Sequence, residues 1–163
     1  MKHEANTPAR IIPGPDTMDA MLNMVDHIIC TEGHVVQIVR GEEGQMPFGY
    51  TVGLHETGWP EIIIVGADPT SSQAVLNAVV TNLRKSEKRP ADGMEISGIT
   101  EFPLRLQAVR GKADLWIAVA KKRAARINAA SEIEVLQLLW ADRNGKFPGE
   151  EGCILPEAYQ FQI

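Results

Sequence analysis

The chain has 163 residues, 44% of them hydrophobic and 23% charged, with a formal net charge of −5. That size and balance fit one ordered domain able to bury a core, and exclude a disordered or fibrous protein. The acidic balance makes nucleic acid an unlikely partner, because phosphate binding needs a cationic surface. Local basic patches remain open around Lys85, Lys88 and Arg89 and around Lys121, Lys122, Arg123 and Arg126. Cys30 and Cys153 are the two cysteines, too few and too far apart for a zinc knuckle or a disulfide framework. They read as free thiols of a reducing compartment. No stretch reaches the roughly 18 apolar residues of a membrane span, and no signal peptide is visible, so a cytoplasmic location is expected.

Residues 1–14 are polar, hold Pro8, Pro13 and Gly14, and read as a loosely held arm before a single domain over 15–163. Met18, Met21, Leu22, Val25, Ile28 and Ile29 recur at helical spacing, with Pro15 or Asp16 as the start and Gly33 as the stop. His34–Arg40 is a β-branched run that predicts a strand. Phe48–Leu54 predicts a second strand and Pro60–Val65 a third. The unbroken apolar run Ile62–Val65 asks for cover on both faces, which puts the third strand near the centre of a sheet.

Asp68, Pro69, Thr70 and Ser71 carry helix-start chemistry, and a helix to about Arg84 should bury Ala74, Val75, Leu76, Ala78, Val79 and Leu83. Met94–Ile99 and Leu104–Val109 predict strands. Ala113–Ile127 predicts one helix with a basic exposed face. Glu134–Trp140 predicts a last strand or helix end, followed by a turn at Asp142–Gly145. Strands arrive in adjacent groups rather than alternating with helices. The expected fold is therefore α+β, with a mostly antiparallel sheet of five or six strands and packed helices.

Two blocks of the chain are distinctive together: Y-T-V-G-L at Tyr50–Leu54 followed by G-W-P-E-I at Gly58–Ile62, and L-Q-L-L-W-A-D-R-N-G-K-F-P-G at Leu136–Gly149. In both, the chain resembles the bacterial domain of unknown function 4262 family, from about His34 to the C-terminus. The resemblance implies a fold and no established activity.

Chemistry-bearing residues concentrate in the first block. His55 with Glu56 and Glu61 offers an imidazole and a carboxylate partner, a pair that can act as a general base or supply a metal ligand. The spacing is not H-E-x-x-H, so a zincin is excluded, and no metal site is expected. The bland alternative is a solvated loop histidine, with Glu61 capping a turn or pairing with an arginine. Tyr50, Thr51 and Gly53 lie on the preceding strand, where a glycine permits close approach by a ligand or another backbone. No G-x-G-x-x-G, phosphate loop or G-x-S-x-G is present. In the second block Trp140 and Phe147 suggest an aromatic latch, and Asp142 either caps the turn or crosses the fold to orient His55.

These residues point first to a small ligand-binding or protein-interaction module with its site at the His55–Glu61 loop. Tyr50, Thr51, Gly53, Trp59 and Trp140 are the expected ligand contacts. The ligand, whether a small molecule or a protein, is not named by any motif; the cofactor is unknown, and a homodimer stays open. A second reading is a hydrolase-like or flavin-dependent enzyme with His55 as base and Glu61 or Asp142 orienting it. A third is a regulatory or defence-associated protein that binds another protein.

Overall fold

The computed structural model describes residues 15–127, 132–155, 160 and 162–163. The expected arm at 1–14 lies outside the described residues. Among the described residues, three α-helices, α1 (Pro15–Glu32), α2 (Pro69–Lys85) and α3 (Ala118–Arg126), pack on a six-stranded sheet. Its strands are β1 (Val35–Val39), β2 (Phe48–Val52), β3 (Glu61–Val65), β4 (Glu95–Ile96), β5 (Leu104–Ala108) and β6 (Val135–Trp140). The spatial order is β1-β2-β3-β6-β5-β4. Among the described strands, only β3 and β6 run parallel; every other neighbouring pair is antiparallel. The fold is α+β with a mostly antiparallel sheet, as its strand grouping predicts.

β3 occupies a central place, and its apolar run has the expected reason. Ile63 and Val65 face a core built with Leu22, Val25 and Ile29 of α1 and with Val119, Ala120 and Ala124 of α3. Ile62 and Ile64 face the opposite core, built with Leu76, Val79, Val80 and Leu83 of α2. Side chains alternate across a strand, so a strand with helices on both faces must be apolar at every position.

The helix ends follow local chemistry. Gly33 stops α1 at φ +82°, its amide bonded to the Ile29 carbonyl. Asp68 caps α2 by accepting the Ser71 amide at 2.9 Å. α2 buries Ser72, Leu76, Val79, Val80 and Leu83, whereas Ala74 is exposed. The long helix expected over 113–127 is instead a 3-10 turn at Ala113–Leu115 and then α3. Ile117 breaks it at φ −114°, ψ 44°, and Trp116 and Ile117 turn into the core. The Val119 amide, one of the free donors of the α3 first turn, goes to the Tyr50 hydroxyl at 3.0 Å. The basic face of this helix is also not simply exposed. Arg123 is buried and bonds Asp26 and Glu56, each at 2.6 Å. The strand expected over Met94–Ile99 shrinks to two residues, ended by Ser97 and by Gly98 at φ +85°.

Candidate functional site

β2 ends at Val52, and Gly53 follows with φ +113°. That conformation suits glycine alone. A Cβ there would meet Ile29 Cδ1 at 3.0 Å and the Gly33 carbonyl oxygen at 3.3 Å. The chain then winds one 3-10 turn, Leu54–Thr57, stopped by Gly58 at φ +80°. Leu54 anchors the turn in the core. The turn thus brings His55 back over the first residue of β3, Glu61.

Glu61 is wholly buried. Its Oε1 accepts the Gly53 amide at 2.8 Å, the His55 amide at 3.2 Å and His55 Nδ1 at 2.7 Å. Its Oε2 accepts the Thr51 hydroxyl at 2.5 Å. Thr51 Oγ1 in turn accepts the Ile62 amide at 2.8 Å. Four donors aimed at one carboxylate offset the large cost of taking it out of water. Because Nδ1 faces an acceptor, it carries the proton, and in the neutral ring Nε2 keeps its lone pair. The His55 side chain is 10% exposed. Its Nε2 is buried and has no hydrogen-bond partner among the described residues.

The turn is tied down from the other side. Glu56 accepts from Arg123 of α3, and Arg123 also holds Asp26 of α1. Burial works against the Arg123 charge, but the hydrogen bonds it donates to Glu56 and Asp26 outweigh it and raise its pKa above the ordinary value. Next to the turn, His34 opens β1. Its Nδ1 accepts from Arg84 at 3.1 Å, and its Nε2 donates to Asn77 at 2.9 Å. Burial, helped by the Arg84 charge, lowers its pKa below the ordinary histidine value against the Asn77 hydrogen bond.

The structure brings His55, Glu61, Thr51 and Gly53 together. It gives Thr51 and Gly53 a different job from the expected ligand contact, since their polar atoms hold Glu61. Trp59 packs against the core on the α2 side, its amide on the Leu54 carbonyl at 3.2 Å. Tyr50 is buried on the opposite face of the sheet.

Asp142 does not meet His55. β3 and β6 are parallel with Glu61 opposite Val135. Asp142 therefore sits at the far end of the sheet, about 20 Å away at a rise of ~3.3 Å per residue. It is the turn cap that D-x-N-G predicts. Oδ1 accepts the Asn144 and Lys146 amides and Oδ2 the Ile154 amide. The Ile154 bond does most to hold its carboxyl below the usual carboxylate range. Trp140 lies at the same far end, half-buried against the α2-side core beside a cavity of about 340 Å³. Phe147 is buried there under the Arg105 guanidinium, 4.0 Å from its ring centroid.

Sequence reasoning missed Asp26, Arg123, His34 and Arg84 around the turn. Their partners lie tens of residues away along the chain, so no local pattern marks them.

The model of the family described as Domain of unknown function (DUF4262) matches residues 28–154. The chain belongs to this family. The matched span contains the turn, Glu61 and the Asp142 cap. No curated protein and no solved structure matches the chain. The two cysteines are free thiols. Among the described residues, no three His, Cys, Asp or Glu side chains gather as a metal site, and no helix is long and apolar enough to cross a membrane.

Proposed function

We propose that this DUF4262 chain is a ligand-binding module whose polar anchor is the imidazole of His55, oriented by Glu61. The observation that carries the reading is the buried Nε2 without a hydrogen-bond partner among the described residues. An unpaired buried acceptor costs about 1–3 kcal/mol, a cost a fold keeps where a bound group removes it. A bound hydroxyl, amide or ammonium donor would remove it. The ring is already fixed, so little orientation is lost on binding.

Nitrogen-15 NMR of the histidine ring tests this directly. Titration with small alcohols, amides and amines should move the His55 Nε2 resonance saturably, and Glu61→Gln should weaken the response. A resonance that behaves like a water-exposed imidazole with every probe sinks the proposal.

The 2.7 Å contact between His55 Nδ1 and the buried Glu61 supports a second reading, a general-base enzyme. In this pairing the carboxylate holds the tautomer whose Nε2 can take a proton. No serine or cysteine bonds to His55 among the described residues, so the proton would come from water or from the substrate. Turnover of p-nitrophenyl acetate that falls on His55→Gln supports this reading; equal turnover by both proteins ends it.

A further inference from the structure

At the β1 edge of the sheet, a cavity of about 480 Å³ opens between β1, β2, α1, the start of α3 and the first turns of α2, where Thr70 and Gln73 line it. Its volume lies within the range of small-molecule sites. It borders Tyr50 but none of the residues from Gly53 to Glu61, so it is a site apart from the His55 turn. Its walls are soft and aromatic. Met18 and Met21 of α1 stand on one side, Phe48 and Trp116 on the other. The two rings meet edge to face with centroids 5.0 Å apart.

Polar groups stand at two levels. In the interior, Gln37 and Tyr50 are direct partners in the β1–β2 ladder, and both line the cavity. The Tyr50 hydroxyl accepts the Val119 amide at 3.0 Å. Its own proton has no acceptor among the described residues, and neither does the Gln37 amide have a partner there. Burial pushes the Tyr50 pKa far above the usual phenol value against the pull of the Val119 amide, so the hydroxyl remains a donor. At the rim, Arg40 is exposed and forms no ion pair among the described residues. It lies one residue past the end of β1 and three after Gln37, about 10 Å at ~3.3 Å per residue.

We propose that this cavity binds an elongated aromatic acid. The carboxylate meets Arg40 at the rim. The ring system lies between the methionines and the Phe48–Trp116 pair. A second oxygen, about 10 Å from the carboxylate on the strand spacing, accepts from Tyr50 and pairs with the Gln37 amide. Methionine thioethers and an edge-to-face ring pair suit a flat aromatic body. An unpaired guanidinium suits a carboxylate.

Calorimetric titration with 6-hydroxy-2-naphthoate, 2-naphthoate and 2-naphthol separates the two polar contacts. The hydroxynaphthoate should bind tightest, with loss of either polar end weakening binding about tenfold, the scale of one good hydrogen bond or ion pair. Arg40→Gln should abolish the preference for hydroxynaphthoate over naphthol. Tyr50→Phe should abolish its preference over naphthoate, and Gln37→Leu, which leaves the Val119 cap intact, should reduce that same preference. His55→Gln should change none of these affinities, which distinguishes this site from the one at the turn. The proposal is overturned if hydroxynaphthoate shows no saturable binding at millimolar concentration. Unchanged selectivity in both Arg40→Gln and Gln37→Leu overturns it equally.

Discussion

Glu61 holds His55 by two atoms at once, its Oε1 accepting both the backbone amide and the ring Nδ1 of that residue. The carboxylate therefore fixes the turn and the imidazole together, and the two roles come apart on substitution. Glu61→Ala removes the acceptor of four donors and should destabilise the fold by about 3–5 kcal/mol, the scale for breaking a buried charged cluster. Glu61→Gln keeps an oxygen for the Gly53 and His55 donors, and its amide nitrogen can donate to Thr51 Oγ1. It should cost much less stability while loosening the preference for the Nδ1–H tautomer. Urea denaturation reads the first effect and ring nitrogen shifts the second. Equal stability losses in the two variants would show that Glu61 acts through its charge alone.

Gly53 makes that contact possible. At φ +113° its amide points at Glu61, and a Cβ there would crowd Ile29 Cδ1 at 3.0 Å and the Gly33 carbonyl oxygen at 3.3 Å, contacts that a small shift eases. Gly53→Ala should cost about 1–3 kcal/mol for the backbone conformation alone. Trimming the neighbour in an Ile29→Val, Gly53→Ala double variant should not restore stability, because the strain lies in the backbone. Recovery of wild-type stability in the double variant, read by chemical denaturation, would place the cost in the contact instead.

Much of the fold was legible, and the failures share one cause. The run Ile62–Val65 announced a strand covered on both faces, and it lies at the centre of the sheet. Asp142 announced a turn cap through D-x-N-G, and its oxygens do hold that turn. The helix expected across 113–127 breaks at Ile117, where Trp116 and Ile117 turn into the core and Tyr50, a residue of another strand, takes the Val119 amide. The expected meeting of Asp142 with His55 failed because β3 and β6 pair in parallel, which sends their motifs to opposite ends. At the turn, the nearness of His55 to Glu61 could be read from the loop. The part of Thr51 and Gly53 in holding Glu61 could not, because it depends on a positive φ and a strand register. Where a contact was local, the residues showed it; where it depended on which strand lies beside which, they did not.

His34 gives the stability a slope with pH. Burial holds its folded pKa below the unfolded value near 6.5. Above that value both states are neutral and its hydrogen bonds to Asn77 and Arg84 contribute fully. As pH falls below about 6.5, the unfolded chain takes up a proton that the folded chain resists, so stability declines until the lowered folded pKa is passed. Urea midpoints measured from pH 7.5 to 5 should fall more steeply for the wild type than for His34→Gln. Parallel curves would mean that His34 is not the group responsible.

Asp142 supplies the opposite end of the molecule with its own pH dependence. Amides from Ile154, Lys146 and Asn144 hold its carboxyl below the usual carboxylate range, the Ile154 bond most of all. Its contribution is present above the unfolded carboxylate pKa and is lost as pH falls through the lowered folded value. Asp142→Asn puts a donor where one of the three amides needs an acceptor. Hydrogen exchange should then quicken at Asn144, Lys146 and Ile154 and stay unchanged at Gly53 and His55, which lie about 20 Å away along the parallel β3–β6 pair at ~3.3 Å per residue. Faster exchange at Gly53 and His55 as well would show that the two ends of the sheet are coupled, and would bring Asp142 back into the His55 site.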